Sequence, residues 1–219
     1  MIKFSSYMLQ LAKKLAAASI SSHLKFDGFE TEKFPENECT VQNKKDPEVF
    51  DAKTTYLCIL PDNHTNSAYL RLLHPYINKF EGEVLYGWTD DHGNIYDHKE
   101  KTIHDDDIKV ESWKKVTGGS IKSHLDFSGF ESKKFPEKEC TKQNKRQPEV
   151  FDADTTYFCV AYQKGDDYAE FVFLHPYIWK DEGKEVLYGW VDDSGNVYDH
   201  KIKPATGGNI SKIYEWKKI

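Results

Sequence analysis

The chain has 219 residues, of which 14% are aromatic, and its formal net charge is -6. This acidic balance disfavours nucleic acid as a partner, because a nucleic-acid-binding protein needs a basic face. No uninterrupted apolar run reaches the length of about eighteen residues that a membrane-spanning helix needs, so no membrane span is predicted.

Residues 1–20 are predicted to form an N-terminal helix. Met8–Ala18 is rich in helix-forming residues, and Met8, Leu11 and Leu15 have the spacing of one helical face, which is expected to dock on the rest of the chain. The absence of acidic residues also gives this stretch the composition of a mitochondrial transit peptide, although it lacks Arg. A cytoplasmic location is favoured, and mitochondrial import and secretion stay open.

The most informative feature of the chain is an internal repeat. Ser22–His98 aligns with Ser123–His200, and 49 of the 77 aligned positions are identical, with Lys184 as one extra residue in the second copy. The sequence therefore predicts two tandem β-rich domains, at residues 21–117 and 118–219, that form a pseudo-symmetric pair. Thr117–Ser120 is the expected linker because it contains two adjacent glycines.

Each copy is predicted to contain four or five short strands. β-branched and aromatic residues dominate these segments, and turn-forming residues separate them. The predicted strand segments are Thr54–Leu60, Ala68–Ile77, Glu83–His98 (a hairpin) and Lys109–Val116 in the first copy, and Thr155–Ala161, Ala169–Ile178, Glu185–His200 (a hairpin) and Ile213–Ile219 in the second. The predicted fold class is mainly β, with each domain a small antiparallel sheet or barrel.

The repeated hairpin also holds the candidate binding residues. Asp90–Asn94 is a run of turn formers, and its spacing does not match a calcium-binding loop. Aromatic rings beside Asp and Asn are the groups that sugar recognition uses, so the hairpin is a candidate carbohydrate site. That set is Tyr86, Trp88, Asp91, Asn94 and Tyr96 in the first copy and Tyr188, Trp190, Asp193, Asn196 and Tyr198 in the second.

The copies differ most between Ile59 and Leu72, where Ala68 alone matches its counterpart. Surface loops tolerate substitutions, so sequence drift explains this difference without any functional role for the loops. The functional alternative is that loops 61–67 and 162–168 contact different surfaces. That alternative adds Asn63, His64, Lys164 and Asp166 to the candidate binding residues.

Four cysteines fall as Cys39 and Cys58 in one copy and Cys140 and Cys159 in the other. Two states of these cysteines are compatible with the sequence: one disulfide within each copy, or four free thiols. The redox state of the compartment decides between them. The chain has no C-x-x-C pair of the kind that zinc sites use, so no metal site is predicted.

Histidines and acids are present, but none forms a recognised catalytic motif. Asp97 and His98 are adjacent on a strand, so their side chains are expected to point to opposite faces. His74 precedes Pro75 and is expected at a strand end as a structural residue. Since no nucleophile, phosphate-loop or cofactor pattern occurs, neither an enzyme nor a cofactor is predicted.

The function predicted from the sequence is therefore binding or assembly with a protein partner, because duplicated domains raise affinity through effective concentration. A carbohydrate-binding module that uses the repeated hairpin is the alternative. A hydrolase that uses His98 with Asp97, or His74, is a third hypothesis, and it requires the histidines to converge on one cleft.

Overall fold

The computed structural model describes residues 28–39, 54–62, 67–104, 106, 108–140, 155–162, 168–180, 186–201 and 211–219. Within them the fold is mainly β, as the strand pattern predicted. The helical segments described are single 3-10 turns, at Glu36–Glu38, Ile121–His124 and Glu137–Glu139, and none is long and apolar enough to cross a membrane. The predicted N-terminal helix at residues 1–20 lies outside the described residues.

The chain divides into two compact units, residues 1–126 and 127–219. The predicted linker Thr117–Ser120 lies within the first unit and leads into the 3-10 turn Ile121–His124. Unit 1 contains six strands: β1 Tyr56–Asp62, β2 Ser67–Phe80, β3 Glu83–Thr89, β4 Ile95–His98, β5 Lys109–Val110 and β6 Ser112–Lys115. Unit 2 contains five strands: β7 Tyr157–Tyr162, β8 Tyr168–Lys180, β9 Val186–Val191, β10 Val197–His200 and β11 Lys212–Lys218.

The five strands of unit 2 form a closed barrel. Strands β7, β8, β9 and β10 pair in chain order with antiparallel neighbours, and β11 pairs with both β10 and β7. The β10–β11 pair is parallel, so the expectation of a purely antiparallel sheet is corrected at the strand that closes the barrel. A parallel neighbour needs a longer connection than a hairpin, and residues 201–211 separate these two strands.

Unit 1 has the same order of pairings, with its closing strand split into β5 and β6. β5 pairs in parallel with β4, and β6 pairs antiparallel with β1. Glu111 lies between them, and its N–H donates to the carbonyl of Ile59 at 3.0 Å. In unit 2 the register of β11 shifts at the corresponding place, between Ile213 and Glu215. A bulge at this point bends the closing strand.

The second strand of each unit is longer than predicted and turns a corner of the barrel. β2 pairs with β1 up to Leu73 and with β3 from His74 onward. His74, which precedes Pro75, was expected at a strand end, but it lies at the corner inside β2. The predicted strand ended at Ile77, and β2 continues to Phe80 because its last residues pair with β3. β8 changes partner between Leu174 and His175 in the same way.

Each barrel is filled by an aromatic cluster. In unit 1 the ring of Trp88 lies 5.5 Å from that of Trp113 and 5.2 Å from that of Phe34, measured between centroids. His98 lies in the same cluster, 4.9 Å from Trp113. The matching cluster of unit 2 contains Phe135, Tyr157, Trp190, His200 and Trp216. Buried aromatic rings contribute large apolar areas, which allows a small barrel to hold a core.

Candidate functional site

The repeated Lys-Phe-Pro-Glu segment of each unit borders a cavity. The first cavity, of about 540 Å³, lies in unit 1 between residues 32–38, Tyr86, His98, Glu100 and Lys101. The second cavity, of about 560 Å³, lies in unit 2 between residues 133–139, Tyr188 and His200. Every lining residue of the second cavity aligns with a lining residue of the first, to which Glu100 and Lys101 are added. Both volumes are within the range of ligand pockets.

Local backbone structure positions the Lys-Phe-Pro-Glu segment. The Glu30 carboxylate accepts hydrogen bonds from the N–H groups of Thr31, Glu32 and Lys33, which fixes the approach to the cavity. Phe34 then turns into the core, and Pro35 leads into the 3-10 turn Glu36–Glu38. These backbone hydrogen bonds lower the pKa of Glu30. The same pattern recurs at Glu131, Phe135 and Pro136.

A buried histidine lines each cavity. His98 is 2% exposed, and burial lowers its pKa to about 4, so that it is neutral near pH 7. Its Nδ1 accepts a hydrogen bond from Trp88 Nε1 at 3.3 Å, which leaves the ring proton on Nε2. His200 is equally buried, and its pKa is also lowered to about 4. A neutral imidazole at the wall of a cavity offers one hydrogen-bond donor to a ligand.

A tyrosine and two carboxylates complete each cavity. The Tyr86 hydroxyl donates to Glu36 Oε1, which raises the pKa of Tyr86, and Lys115 Nζ lies 2.6 Å from Glu38 Oε2. In unit 2 Tyr188 donates to Glu137, and Lys218 Nζ lies 2.7 Å from Glu139 Oε2. The carboxylates of the 3-10 turn are thus engaged within each unit.

A second repeated arrangement joins Thr, His and Asp, and the sequence reading did not find it. His74 Nε2 lies 2.9 Å from Asp91 Oδ1, and its Nδ1 lies 3.5 Å from the Thr54 hydroxyl. In unit 2 His175 makes the same contacts with Asp193 at 2.9 Å and Thr155 at 3.3 Å. These contacts tie the hairpin turn to the corner of the long strand. The available signal was that all three residues are identical in the two copies.

The predicted strand orientation of Asp97 and His98 is consistent with their contacts. His98 packs among aromatic rings in the barrel, whereas the Asp97 carboxylate accepts hydrogen bonds from the N–H groups of Ile103, His104 and Asp106. Asp97 therefore anchors the connection that follows β4. His74 has its own contacts with Thr54 and Asp91, and no contact between His74 and His98 occurs among the described residues.

The residues of the candidate sugar site do not form one surface in the structure. Trp88 and Trp190 are 0% exposed in the two cores, so neither ring offers a face to a ligand, which corrects their placement on a binding surface. Asn94 and Asn196 bond within their turns to Asp90 and Asp192. Gly93 and Gly195 supply the positive φ of those turns.

Of the predicted hairpin residues, Tyr86 and Tyr188 line the two cavities. Tyr96 instead donates to Asp90 Oδ2 at 3.1 Å, and Tyr198 donates to Glu170 at 3.4 Å. Burial raises the pKa of Tyr96 to about 12. Asn63, His64, Lys164 and Asp166 lie outside the described residues.

All four cysteines are free thiols in this structure. Cys39 Sγ donates to the carbonyl of Pro35 at 3.5 Å, and Cys58 Sγ donates to that of Tyr56 at 3.8 Å. Burial raises the pKa of Cys39 to about 12 and that of Cys58 well above its ordinary value. These thiols are therefore protonated near pH 7 and are weak nucleophiles.

Within the described residues, no group of three or more His, Cys, Asp or Glu side chains is arranged to hold a metal ion. The repeated cavity is the feature of these residues best suited to hold a ligand. No protein-family model matches the chain, and neither a curated protein nor a solved structure is significantly similar to it.

Proposed function

We propose that the protein is a non-enzymatic binding or assembly module, made of two tandem copies of one small barrel domain, that engages a protein partner through its two cavities. The observation that carries the proposal is the recurrence of one cavity, with the same Phe, Pro, Glu, Tyr and His lining, in both units. A neutral histidine at the wall of each cavity supports the proposal, because its ring N–H is a hydrogen-bond donor that a ligand can use.

Two linked sites of moderate affinity give a higher combined affinity when both engage one partner. The second binding event is then intramolecular, and its effective concentration replaces the free concentration of partner. This advantage explains why two copies are kept in one chain. The N-terminal segment 1–20 is part of the proposal as a helix that docks on one unit, and circular dichroism of a 1–20 peptide tests its helical tendency.

Site-specific photo-crosslinking tests whether the cavities contact a protein. A photoreactive phenylalanine derivative replaces Asn37 or Lys138, which are exposed and line the first and second cavity. The control position is Glu83, which is exposed at the far end of β3 and lines neither cavity. We expect the same partner protein in adducts from positions 37 and 138, and none from position 83, after irradiation in extract of the source cells.

Equal adducts from all three positions, or none from either cavity, would count against the proposal. The carbohydrate alternative loses its Trp rings, because both are buried, but keeps Tyr86 and Tyr188 at the cavities. A glycan array tests that alternative. If a defined sugar binds the wild-type chain and this binding is lost in the Tyr86→Ala and Tyr188→Ala variants, the ligand is a carbohydrate and the proposal of a protein partner is rejected.

A further inference from the structure

The two cavities share their aromatic lining but differ in charge. Glu32 and Asn37 line the first cavity, whereas Lys133 and Lys138 stand at the corresponding positions of the second. These two replacements change the formal charge at the cavity by three units in the positive direction.

The carboxylates of the second cavity are already engaged within unit 2. Glu137 accepts the hydroxyl of Tyr188, and Glu139 pairs with Lys218 at 2.7 Å. Lys133, Lys134 and Lys138 line the same cavity, and their ammonium groups have no hydrogen bond or direct ion pair among the described residues. The second cavity therefore presents three cations that the described residues do not neutralise by direct contact.

The first cavity has no such excess of cations. Glu36 and Glu38 are engaged by Tyr86 and Lys115, as their counterparts are in unit 2. The remaining lining charges are two acidic and two basic groups, and one of the basic groups, Lys101, lies 5.6 Å above the ring of Tyr86. These remaining charges are Glu32, Glu100, Lys33 and Lys101.

His200 adds a hydrogen-bonding group to the second cavity, since the residue is 2% exposed and lines it. Its Nδ1 is buried without a hydrogen-bond partner, as is Trp190 Nε1, and the matching atoms of His98 and Trp88 bond to each other in the core of unit 1. Its Nε2 has no hydrogen bond among the described residues and is the nitrogen left for a ligand. A neutral imidazole can donate to an anionic oxygen, which is also the group that the three lysines attract.

We propose that the second cavity binds an acidic peptide segment of the partner protein through Lys133, Lys134 and Lys138, and that the first cavity does not. This inference rests on the proposed function and names the chemistry of one of its two sites. Charge-assisted hydrogen bonds between ammonium groups and carboxylates supply the affinity, and added salt weakens it because these side chains face solvent.

The test measures binding of a fluorescein-labelled heptaglutamate peptide to the full chain by fluorescence anisotropy. Lys133→Glu combined with Lys138→Asn gives the second cavity the residues of the first, and we expect at least about a tenfold loss of affinity, which corresponds to about 1.4 kcal/mol. Glu32→Lys combined with Asn37→Lys performs the reverse exchange, and we expect it to raise the stoichiometry from one peptide to two.

A matched control removes the same charge elsewhere. Lys79→Glu combined with Lys122→Asn also changes the net charge by three units, and both residues are exposed outside the cavities. We expect this control to retain most of the affinity. The NMR signals of the Trp190 and Trp216 indoles, unchanged from those of the wild-type chain, verify that the cavity variants keep the core of unit 2.

Three results would overturn the inference: equal losses in the cavity variant and the control, no loss in the cavity variant, or tighter binding of a single-stranded oligonucleotide that displaces the peptide. Crosslinking at positions 37 and 138 separates this failure from failure of the proposed function. If the partner still crosslinks at both positions, the binding module stands and the acidic ligand alone is rejected. If no partner crosslinks, the proposed function fails, and heptaglutamate binding is then assigned to an isolated cationic pocket.

Discussion

Units 1 and 2 are alike inside the barrel and different outside it. Trp88, Trp113 and Phe34 in the first core correspond to Trp190, Trp216 and Phe135 in the second, with ring distances that agree within about 0.1 Å. On the opposite face of the strands the residue types change, as in the pairing of Leu57 with Leu72 and of Phe158 with Phe173.

The difference shows which positions tolerate change. Phe158 stacks on Phe171 at 5.5 Å and lies 5.4 Å from Phe173, so the second unit has rings on this face where the first has leucines. Inside each barrel the rings contact one another on several sides, and a change of one alters all its neighbours. The opposite face of the strands is also buried, at Leu57 and Phe158, but a matched set of side chains replaces another there. The rim of the cavity is exposed and has fewer packing constraints, which permits the two cavities to acquire different charges.

The largest effect is expected from truncating the inner Trp rings. Trp113→Ala and Trp216→Ala should each destabilise their own unit by about 3–5 kcal/mol, because each ring is 1% exposed at the centre of its cluster. Urea unfolding followed by the remaining indole NMR signals of each unit measures both effects. A loss below about 1 kcal/mol in either unit would contradict the shared core.

An intermediate effect should separate the two cores. Trp88→Phe removes the donor to His98 Nδ1 and leaves a buried acceptor without a partner, at a cost of about 1–3 kcal/mol beyond the lost volume. Trp190→Phe should lack this extra cost, because Trp190 Nε1 and His200 Nδ1 are each without a partner already. Equal destabilisation of the two variants in urea would show that the cores do not differ in this bond.

Lowering the pH should destabilise both units gradually. An unfolded histidine binds a proton near pH 6.5, whereas burial keeps the pKa of His98 and His200 at about 4. The unfolded state therefore binds more protons between these values, so this contribution to stability is complete above about pH 6.5 and is lost as the pH falls towards 4.

NMR titration of the imidazole signals measures this effect directly, together with urea midpoints at several pH values. Both histidines should titrate alike, since desolvation is the main cause of the shift in each. A midpoint near 6.5 for either histidine would mean that its ring is not buried in solution.

The smallest effect is expected at the hairpin turns. Asp91→Ala and Asp193→Ala remove the carboxylates bonded to His74 and His175, and each carboxylate side chain is mostly exposed, at 74% and 78%. Exposed ion pairs contribute little, so the loss of stability should stay below about 1 kcal/mol in both units. Hydrogen exchange of the turn amides should increase more than that of the barrel strands, and a global loss above about 2 kcal/mol would contradict a local role.

Much of the strand pattern was readable from the residues. Alternation along Glu83–His98 predicted a hairpin, and the structure has β3 and β4 there, with Gly93 in the positive-φ conformation. Local patterns suffice for such elements because alternation and turn chemistry act over a few residues. The full length of β2 was not readable, since its continuation from Ile77 to Phe80 depends on pairing with β3.

The candidate site was less predictable. Tyr86 and Tyr188 were named from the hairpin, but their cavity partners, such as Glu36 and His98, are distant in sequence and meet only when the barrel closes. Trp88 was named as a candidate only in the carbohydrate alternative, because alternation distinguishes the two faces of a strand and not which face is inside.

The sequence by itself determined the positions of the strands, the turns and the repeated order of residues, because these follow from side-chain periodicity and backbone preference. The tertiary structure alone decided that the last strand closes the barrel beside β10 in parallel and that the Trp rings face inward. It also decided that a neutral histidine meets charged side chains at a cavity. These features depend on contacts between residues far apart in the chain. Such contacts form, and stabilise the fold, only when the whole barrel has folded.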